Sequence, residues 1–582
     1  PKMASCASTK GKDGFEFEFG VGKLFDQYPV EPLVPDKNAG RKVVTTCELE
    51  TGSMVMRERG LAVLTENFAF GHGFCPICFT KHPPNDNKNG CFDIQTALSP
   101  IENKFKAAAS EALKSTSVGG ELIRLWIRIM ATVTALATAT DRVKPTLRHW
   151  TQALYGCSEL DTSAPSEDWL MDVLVAASTI WECASEEVEI AMAQYCFPAL
   201  QRSPAGKSEE SGMGGVEAMV IIAGQMNRNG YSVRDVLNPN QVVALGIFPA
   251  VAMYNHSCSP NCAVMTTQEG FLEVRCLDTV PVNVELTVSY VDLLQPREER
   301  RAELLASKEF VCHCLRCDSP GSFPFERLLS TAVCPRCTNN VPRFVVPDDE
   351  ASPANTKDVD DDGGKTENVE ETVEATPPAT IEVVANVSTP SYICRGEDGG
   401  CGAVMVASEL GKTPMQALNL LEKCRASASL THRIEILRTV LATTATTLAP
   451  EHFITIRARL TLVVLLQKLK HFVESAVEMK LAVDAMSHFL HPCWPELAEW
   501  KMRLAQAYFV VGEINEEDSD GKHHVLAMQM LAATAASLKV CAGENHPLYI
   551  AATADLKQPK AARLRAKAEA KEKKSLNRLN RQ

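Results

Sequence analysis

Three cysteines fall within six residues in Cys312-His313-Cys314-Leu315-Arg316-Cys317, and this spacing constrains the chain more than any other feature. They supply three thiolates toward the four ligands that a tetrahedral structural zinc takes. The same stretch, residues 245–317, opens with Leu245-Gly246-Ile247-Phe248-Pro249 and runs into Tyr254-Asn255-His256-Ser257-Cys258-Ser259-Pro260-Asn261-Cys262. A strand-like run, Glu285-Leu286-Thr287-Val288-Ser289-Tyr290, lies between that segment and the cysteine cluster. Beyond it, Cys334-Pro335-Arg336-Cys337 and the later pair Cys394 and Cys401 have the two-plus-two arrangement of a second zinc site. A long loop between the pairs is compatible with this, because the cost of closing a loop rises only slowly with its length.

The chain has 21 cysteines. No charged-then-apolar leader marks it for secretion, so reduced thiols serving as metal ligands or small buried hydrophobes are expected, in the cytoplasm, the nucleus or both. Cys157, Cys183, Cys196, Cys424 and Cys541 sit in apolar helical patterns and read as core residues. No uninterrupted run of about 20 apolar residues suggests a membrane span. With 582 residues, 45% hydrophobic and 23% charged, the chain reads as several globular domains. A net charge of -13 argues against a general nucleic-acid binder and leaves room for a local basic patch.

In chain order, residues 1–39 mix Gly, Lys, Pro and aromatics without a period and read as a partly disordered lead-in. Val43–Thr46 and Met54–Arg57 read as two short strands around a turn at Thr51-Gly52. Residues 101–200 carry helical apolar spacing, as in Leu122-Ile123-Arg124-Leu125-Trp126-Ile127-Arg128-Ile129-Met130, and 201–215 reads as a loop. Residues 348–390 are acidic and small, centred on Asp360-Asp361-Asp362, and are expected to be a disordered spacer. From Thr413 to about Leu556 the chain reads as helix pairs with loosely kept repeat spacing, followed by a basic tail, 557–582.

Asn-His-Ser-Cys, then a tyrosine closing a strand, then Cys-x-Cys-x-x-Cys resembles the catalytic half of a SET domain. Further matches point to the SET-and-MYND (SMYD) family: Met226-Asn227-Arg228-Asn229-Gly230-Tyr231 ahead of Gly246-Ile247-Phe248-Pro249, and the Gly543-Glu544-Asn545-His546-Pro547 turn. The resemblance implies an α+β fold: a β-rich SET domain split by a helical insert, a Cys-rich post-SET zinc region and a C-terminal tetratricopeptide-like helical domain. In this reading 40–66 is the first SET part, 67–100 a zinc-finger-like insert and 101–215 the helical insert. Residues 216–310 are the catalytic core, 311–402 the post-SET region and 403–556 the helical domain. The family's inserted finger is reduced here to at most one four-ligand site, Cys75, Cys78, His82 and Cys91.

The family transfers a methyl group from S-adenosylmethionine to a lysine amine of a protein substrate, such as a histone tail. The resemblance assigns Tyr290 as the catalytic residue, orienting the amine beside the methyl group. It assigns cofactor binding to Gly40, Arg41, Asn229, Asn255, His256, Tyr290 and Phe310. It supplies Cys258 as the fourth zinc ligand beside Cys312, Cys314 and Cys317. Departures are Lys42 in place of a second glycine of the Gly-x-Gly turn, and Asn283-Val284-Glu285 in place of Gly-Glu-Glu. The alternative is a catalytically weak or inactive SET-fold adaptor whose helical repeats bind a peptide or chaperone. The preserved Asn255, His256 and Tyr290 favour the enzyme, and a monomer is expected.

Overall fold

The structure, a computed structural model, describes residues 25–33, 41–65, 74–83, 90–138, 162–200, 214–238, 241–319, 325–333, 413–514 and 521–557, together with strands 344–347, 391–394 and 404–406 and a few isolated positions. The chain forms two compact units, Pro1–Glu326 with Leu466–Gln582, and Arg327–Leu465.

Among its described residues the first unit holds ten short strands: β1 Val30–Leu33, β2 Lys42–Thr45, β3 Met54–Glu58, β4 Leu61–Leu64, β5 Gly230–Arg234, β6 Val242–Ile247, β7 Asn255–His256, β8 Cys262–Thr266, β9 Leu272–Cys276 and β10 Glu285–Val288. They make three small sheets, ordered β1-β2-β10-β7, β3-β9-β8 and β4-β6-β5. The two strands on either side of Thr51-Gly52 form, but not as partners: β2 pairs with β1 and β10, and β3 with β9. Val43, Val55 and Met56 are fully buried, so partners are chosen by which distant apolar face covers them, not by the local turn. Gly52, at φ 85°, carries the chain from one sheet to the other.

Two sequence boundaries move. Part of the lead-in is folded: Phe25 and Val30 are buried, and β1 pairs antiparallel with β2, Val30 opposite Thr45. A strand that covers an open sheet edge leaves little periodic signal in a segment of four residues. The helical insert begins ahead of residue 101, with the helix Cys91–Lys104. At its centre, helix Gly120–Thr138 is apolar nearly all round, and its Trp126 donates from Nε1 to the Met219 carbonyl at 2.9 Å. Its one buried cation, Arg128, is paired with Glu102 at 2.7 Å.

The C-terminal helices Phe472–Met486, Pro495–Ile514, Lys522–Cys541 and Pro547–Lys557 belong to the same unit as the sheets. Helix Lys522–Cys541 is long and apolar enough to cross a membrane by composition. One face of it, with Leu531, Ala535 and Leu538, packs in one cluster with Ala263 and Met265 of β8, and 33% of its most apolar stretch is buried. The Gly543–Pro547 turn fixes the docking. His546 Nδ1 accepts from Leu548 N at 3.2 Å, so Nε2 carries the proton and donates to the Thr266 carbonyl at 3.1 Å. Gly543 has φ +83°, and a Cβ there would stand 2.6 Å from the Arg275 guanidinium.

The second unit contains an antiparallel sheet of β11 Ala332–Val333, β12 Phe344–Pro347, β13 Ser391–Cys394 and β14 Val404–Val406, in that order, followed by helices Thr413–Ala426 and Leu430–Thr444 and most of Phe453–Lys468. The strands were not visible in the sequence, where they flank the acidic spacer.

Burial lowers the His546 pKa from 6.5 to about 4. A lowered histidine binds its proton more readily in the unfolded chain, so its contribution to stability is present above pH about 6.5 and is lost as the pH falls toward 4. The full loss is on the order of 3 kcal/mol. In His546→Gln, whose amide still donates to the Thr266 carbonyl, the fall in unfolding temperature across that pH window should be smaller than in the parent chain.

Candidate active site and metal centre

The Asn255–Cys262 segment is held in place by backbone and amide bonds. β7 is only two residues long and runs parallel to β10, with Asn255 opposite Thr287 and His256 opposite Val288. Asn261 locks this crossing: its Oδ1 accepts from Thr287 N at 2.8 Å and its Nδ2 donates to the Glu285 carbonyl at 2.8 Å. One turn earlier, the fully buried Glu58 carboxylate accepts from Ala250 N at 3.1 Å and Val251 N at 2.9 Å, and burial pushes its pKa up to about 7. The Tyr254 hydroxyl donates to the Val55 carbonyl at 3.0 Å.

This frame walls a cavity of about 780 Å³. Arg41, Asn229, Asn255, Tyr290 and Phe310 all line it, and Gly40 lies outside the described residues. Asn255 Nδ2 donates to the Arg41 carbonyl at 2.6 Å and to the Glu285 carboxylate at 2.8 Å. Its donors are thus spent on the protein, and its side-chain carbonyl is the end left to receive a ligand's hydrogen bond. Asn229 Nδ2 donates to the Gln225 carbonyl one helical turn back, at 3.1 Å. The Tyr290 hydroxyl donates to the Tyr254 carbonyl at 2.6 Å, and burial pushes its pKa up. It is therefore a neutral phenol with its proton committed, presenting oxygen lone pairs as an acceptor.

His256 is not among the cavity-lining residues. Its Nδ1 accepts from Tyr290 N at 3.0 Å, and its Nε2 lies 3.3 Å from Cys258 Sγ. With Nδ1 an acceptor, Nε2 carries the proton and donates to sulfur. Burial lowers its pKa to about 4, so the ring is neutral near pH 7. The structure thus gives His256 a bracing position, joining the tyrosine to the cysteine cluster.

Cys258, Cys312, Cys314 and Cys317 bring four sulfurs within 4.8 Å of one another. Cys258 Sγ is 4.0 Å from Cys312 Sγ and 3.6 Å from Cys317 Sγ. A tetrahedral site with zinc–sulfur bonds of about 2.3 Å places its sulfurs roughly 3.8 Å apart, so this set fits zinc. Hydrogen bonds from the neighbouring thiols, Cys258 first, hold Cys314 well below the ordinary thiol range. Cys75, Cys78, His82 and Cys91 form a second such group. There Ile77 N donates to Cys75 Sγ at 3.4 Å, and His82 Nδ1 lies 2.9 Å from the Pro83 carbonyl. Cys91 opens a helix, so this group rests on the helical insert. Each group has a buried arginine beside it: Arg59, whose Nη2 donates to the Ile77 carbonyl at 2.8 Å, and Arg300, whose Nε lies 3.2 Å from Cys258 Sγ. Of the remaining cysteine set, Cys334 and Cys337 and the Cys394 side chain lie outside what is described, and Cys401 is exposed.

Sequence reasoning missed Glu58, Asn261, Arg300, Arg316 and Glu326, and the cavity residues Tyr231 and Lys308. Lys308 Nζ donates to the Arg228 carbonyl at 2.8 Å and stands 5.9 Å over the Tyr290 ring. A glutamate ending an apolar strand, as in Met54-Val55-Met56-Arg57-Glu58, is a signal for a buried carboxylate. The others have none, because their partners are far away in sequence.

Cys258 stands at the meeting point of the cluster and the Asn255–His256 segment. Cys258→Ser should therefore lower bound metal and ligand affinity at the cavity together. Metal analysis and calorimetry on one preparation check this; unchanged zinc content in the variant would contradict the assignment.

Residues 40–291 match the SET domain model. Human N-lysine methyltransferase SMYD2 is 39% identical over 104 residues, 17% of this chain and 23% of that protein. The Gallus gallus SMYD2 is 41% identical over 103 residues, 17% of this chain and 22% of that one. Human histone-lysine N-methyltransferase SMYD3 is 38% identical over 79 residues, 14% of this chain and 18% of that protein. The chain thus spans less than a quarter of the length of these curated relatives. Among solved structures, the SET domain of LSMT bound to lysine and AdoHcy matches at 12% identity with a TM-score of 0.20, over 50% of this chain and 56% of that one, too low to bear on the fold. Residues 40–291, with the Asn255–Tyr290 frame that closes on a cysteine cluster, are thus similar to a SET domain, and the relatives that share short stretches with this chain are SMYD proteins.

Proposed function

We infer that this protein transfers a methyl group from S-adenosylmethionine to a lysine amine of a protein substrate. The observation that carries this reading is the Tyr290 hydroxyl, 2.6 Å from the Tyr254 carbonyl in the wall of the cavity shared with Arg41, Asn255 and Phe310. A free lysine has a pKa of about 10.4, so the site must receive a neutral amine and hold its lone pair in line with the methyl group. The donor, when bound, supplies a methyl group made electrophilic by a sulfonium centre. The protein's own part is placement. The Asn255 side-chain carbonyl and the Arg41 backbone suit the polar end of that donor, and the Phe310 ring suits a wall that excludes water. Tyr290, its proton already given to Tyr254, accepts from the amine's N–H and so orients it. As a buried phenol it takes no proton at neutral pH, and the amine's proton leaves by way of solvent. Zinc in the two cysteine groups would brace the loops and take no part in the transfer. Human SMYD2 and SMYD3 bear lysine methyltransferase names, in keeping with this reading. The free thiols among the described residues suit the cytoplasm or nucleus, and the C-terminal helices are where a peptide or chaperone partner is to be sought.

Tyr290→Phe keeps the ring and its packing while removing the acceptor. Turnover on a mixed protein pool with labelled donor should fall by roughly 10²-fold, with donor affinity within a few-fold of the parent. Transfer that survives the change undiminished would put the wrong residue at the centre. Donor binding without transfer to any protein in the parent chain would favour an adaptor instead.

A further inference from the structure

Arg300, Arg316 and Glu326 are buried beside the Cys258 cluster, at 0%, 2% and 8% exposure. The Glu326 carboxylate bridges them, 2.7 Å from Arg300 Nη1 and 2.6 Å from Arg316 Nε. Arg300 aims the rest of its fork at sulfur: Nε is 3.2 Å from Cys258 Sγ and Nη2 is 4.0 Å from Cys317 Sγ. Arg316 staples the loop, donating from Nη1 to the Cys258 carbonyl at 3.0 Å and from Nη2 to the Leu293 carbonyl at 2.9 Å. Leu293 follows Tyr290 by one short turn, so Arg316 ties the cysteine to the segment that carries the tyrosine.

Nothing in the transfer chemistry uses these three charges, and stability by itself does not account for them. Replacing a buried ionic triad with apolar side chains commonly leaves a fold as stable or more so. What a triad with one surplus positive charge suits is a neighbour with surplus negative charge. Four thiolates around a divalent ion are such a neighbour. Neutral thiols would give a buried guanidinium no reason to face sulfur.

We propose that Arg300, held by the Glu326 carboxylate and by the Gln295 carbonyl, which accepts from Nη1 at 2.6 Å, is the counter-ion of the Cys258–Cys312–Cys314–Cys317 metal site, and that through Cys258 it positions the Asn255–His256 segment at the cavity. Arg300 is a positioning residue. Its Nε bond and the His256 Nε2 bond reach the same sulfur, so the cluster and the tyrosine share one anchor.

The inference rests on the reading that these thiolates hold zinc, and the two fail differently. Full-length parent chain free of zinc on metal analysis overturns the zinc reading and the inference with it. If zinc is present, its retention against a chelator is compared in the parent, Arg300→Met, Arg300→Lys and Glu326→Gln, with far-ultraviolet circular dichroism read on each. Outer-shell partners of a metal site are typically worth roughly 10- to 100-fold in affinity, so Arg300→Met should give up this zinc that much more readily. The Cys75 group should keep its own metal. Arg300→Lys, which keeps the charge and loses the fork, should fall in between. Glu326→Gln leaves the Arg300 bonds to sulfur and to the Gln295 carbonyl in place, so it should unfold at a lower temperature while holding zinc within a few-fold of the parent. A folded Arg300→Met that holds zinc as the parent does overturns the proposal. So does an equal loss of zinc in Arg300→Met and Glu326→Gln, which would mark the triad as packing alone. If Arg300→Met does not fold, Arg300→Lys is read in its place, and parent-like zinc retention there overturns it too.

Discussion

The sulfur of Cys258 is the atom on which the site depends. It lies among three other thiols, receives a hydrogen bond from His256 Nε2 and faces the Arg300 guanidinium. His256 in turn accepts from the backbone of Tyr290. Segments far apart in sequence, 255–262, 285–294 and 312–317, are therefore fixed against one another at one place. None of them is long enough to be stable alone: β7 has two residues and β10 has four. Four clustered thiols with a buried guanidinium against them stand where such short elements supply little apolar area.

Burial does the second part of the work. Tyr290 and His256 are both held neutral near pH 7 by loss of solvent, the phenol because its pKa rises and the imidazole because its pKa falls to about 4. A neutral phenol with its proton assigned offers a fixed acceptor, and a neutral imidazole offers one donor and one acceptor in a fixed tautomer. Both serve orientation, which suits a reaction whose demands on the protein are placement and exclusion of water. Arg41 and Gly230 line the cavity, and their carbonyls are held by Asn255 and Lys308.

The helical parts take different roles around this centre. The insert is anchored by Trp126 on the Met219 carbonyl of helix Gly215–Asn229 and by its own Arg128–Glu102 pair, and its first helix carries Cys91 of the other cysteine group. The C-terminal helices from Leu466 onward pack on β8 and β9 through the Gly543–Pro547 turn, so Trp494 reaches the cavity wall.

By itself the sequence determined the local chemistry. Asn255, Tyr290, Phe310 and the Cys312–Cys317 cluster are legible because particular side chains at short, fixed spacing stand out from the rest of the chain. The strands and helices with strong apolar patterning are legible because a single face must be buried. Tertiary structure decided what distance in sequence conceals. It set the pairing of β2 with β1 and β10, the folding of residues 25–33 as a sheet edge, and the place of His256 behind the cavity wall. It also decided that Arg300, Arg316 and Glu326 are buried beside the Cys258 cluster. A charged side chain in a sequence carries no mark of its burial. Whether it meets solvent or a thiolate depends on which remote segment closes over it, and that follows from the packing of the whole chain.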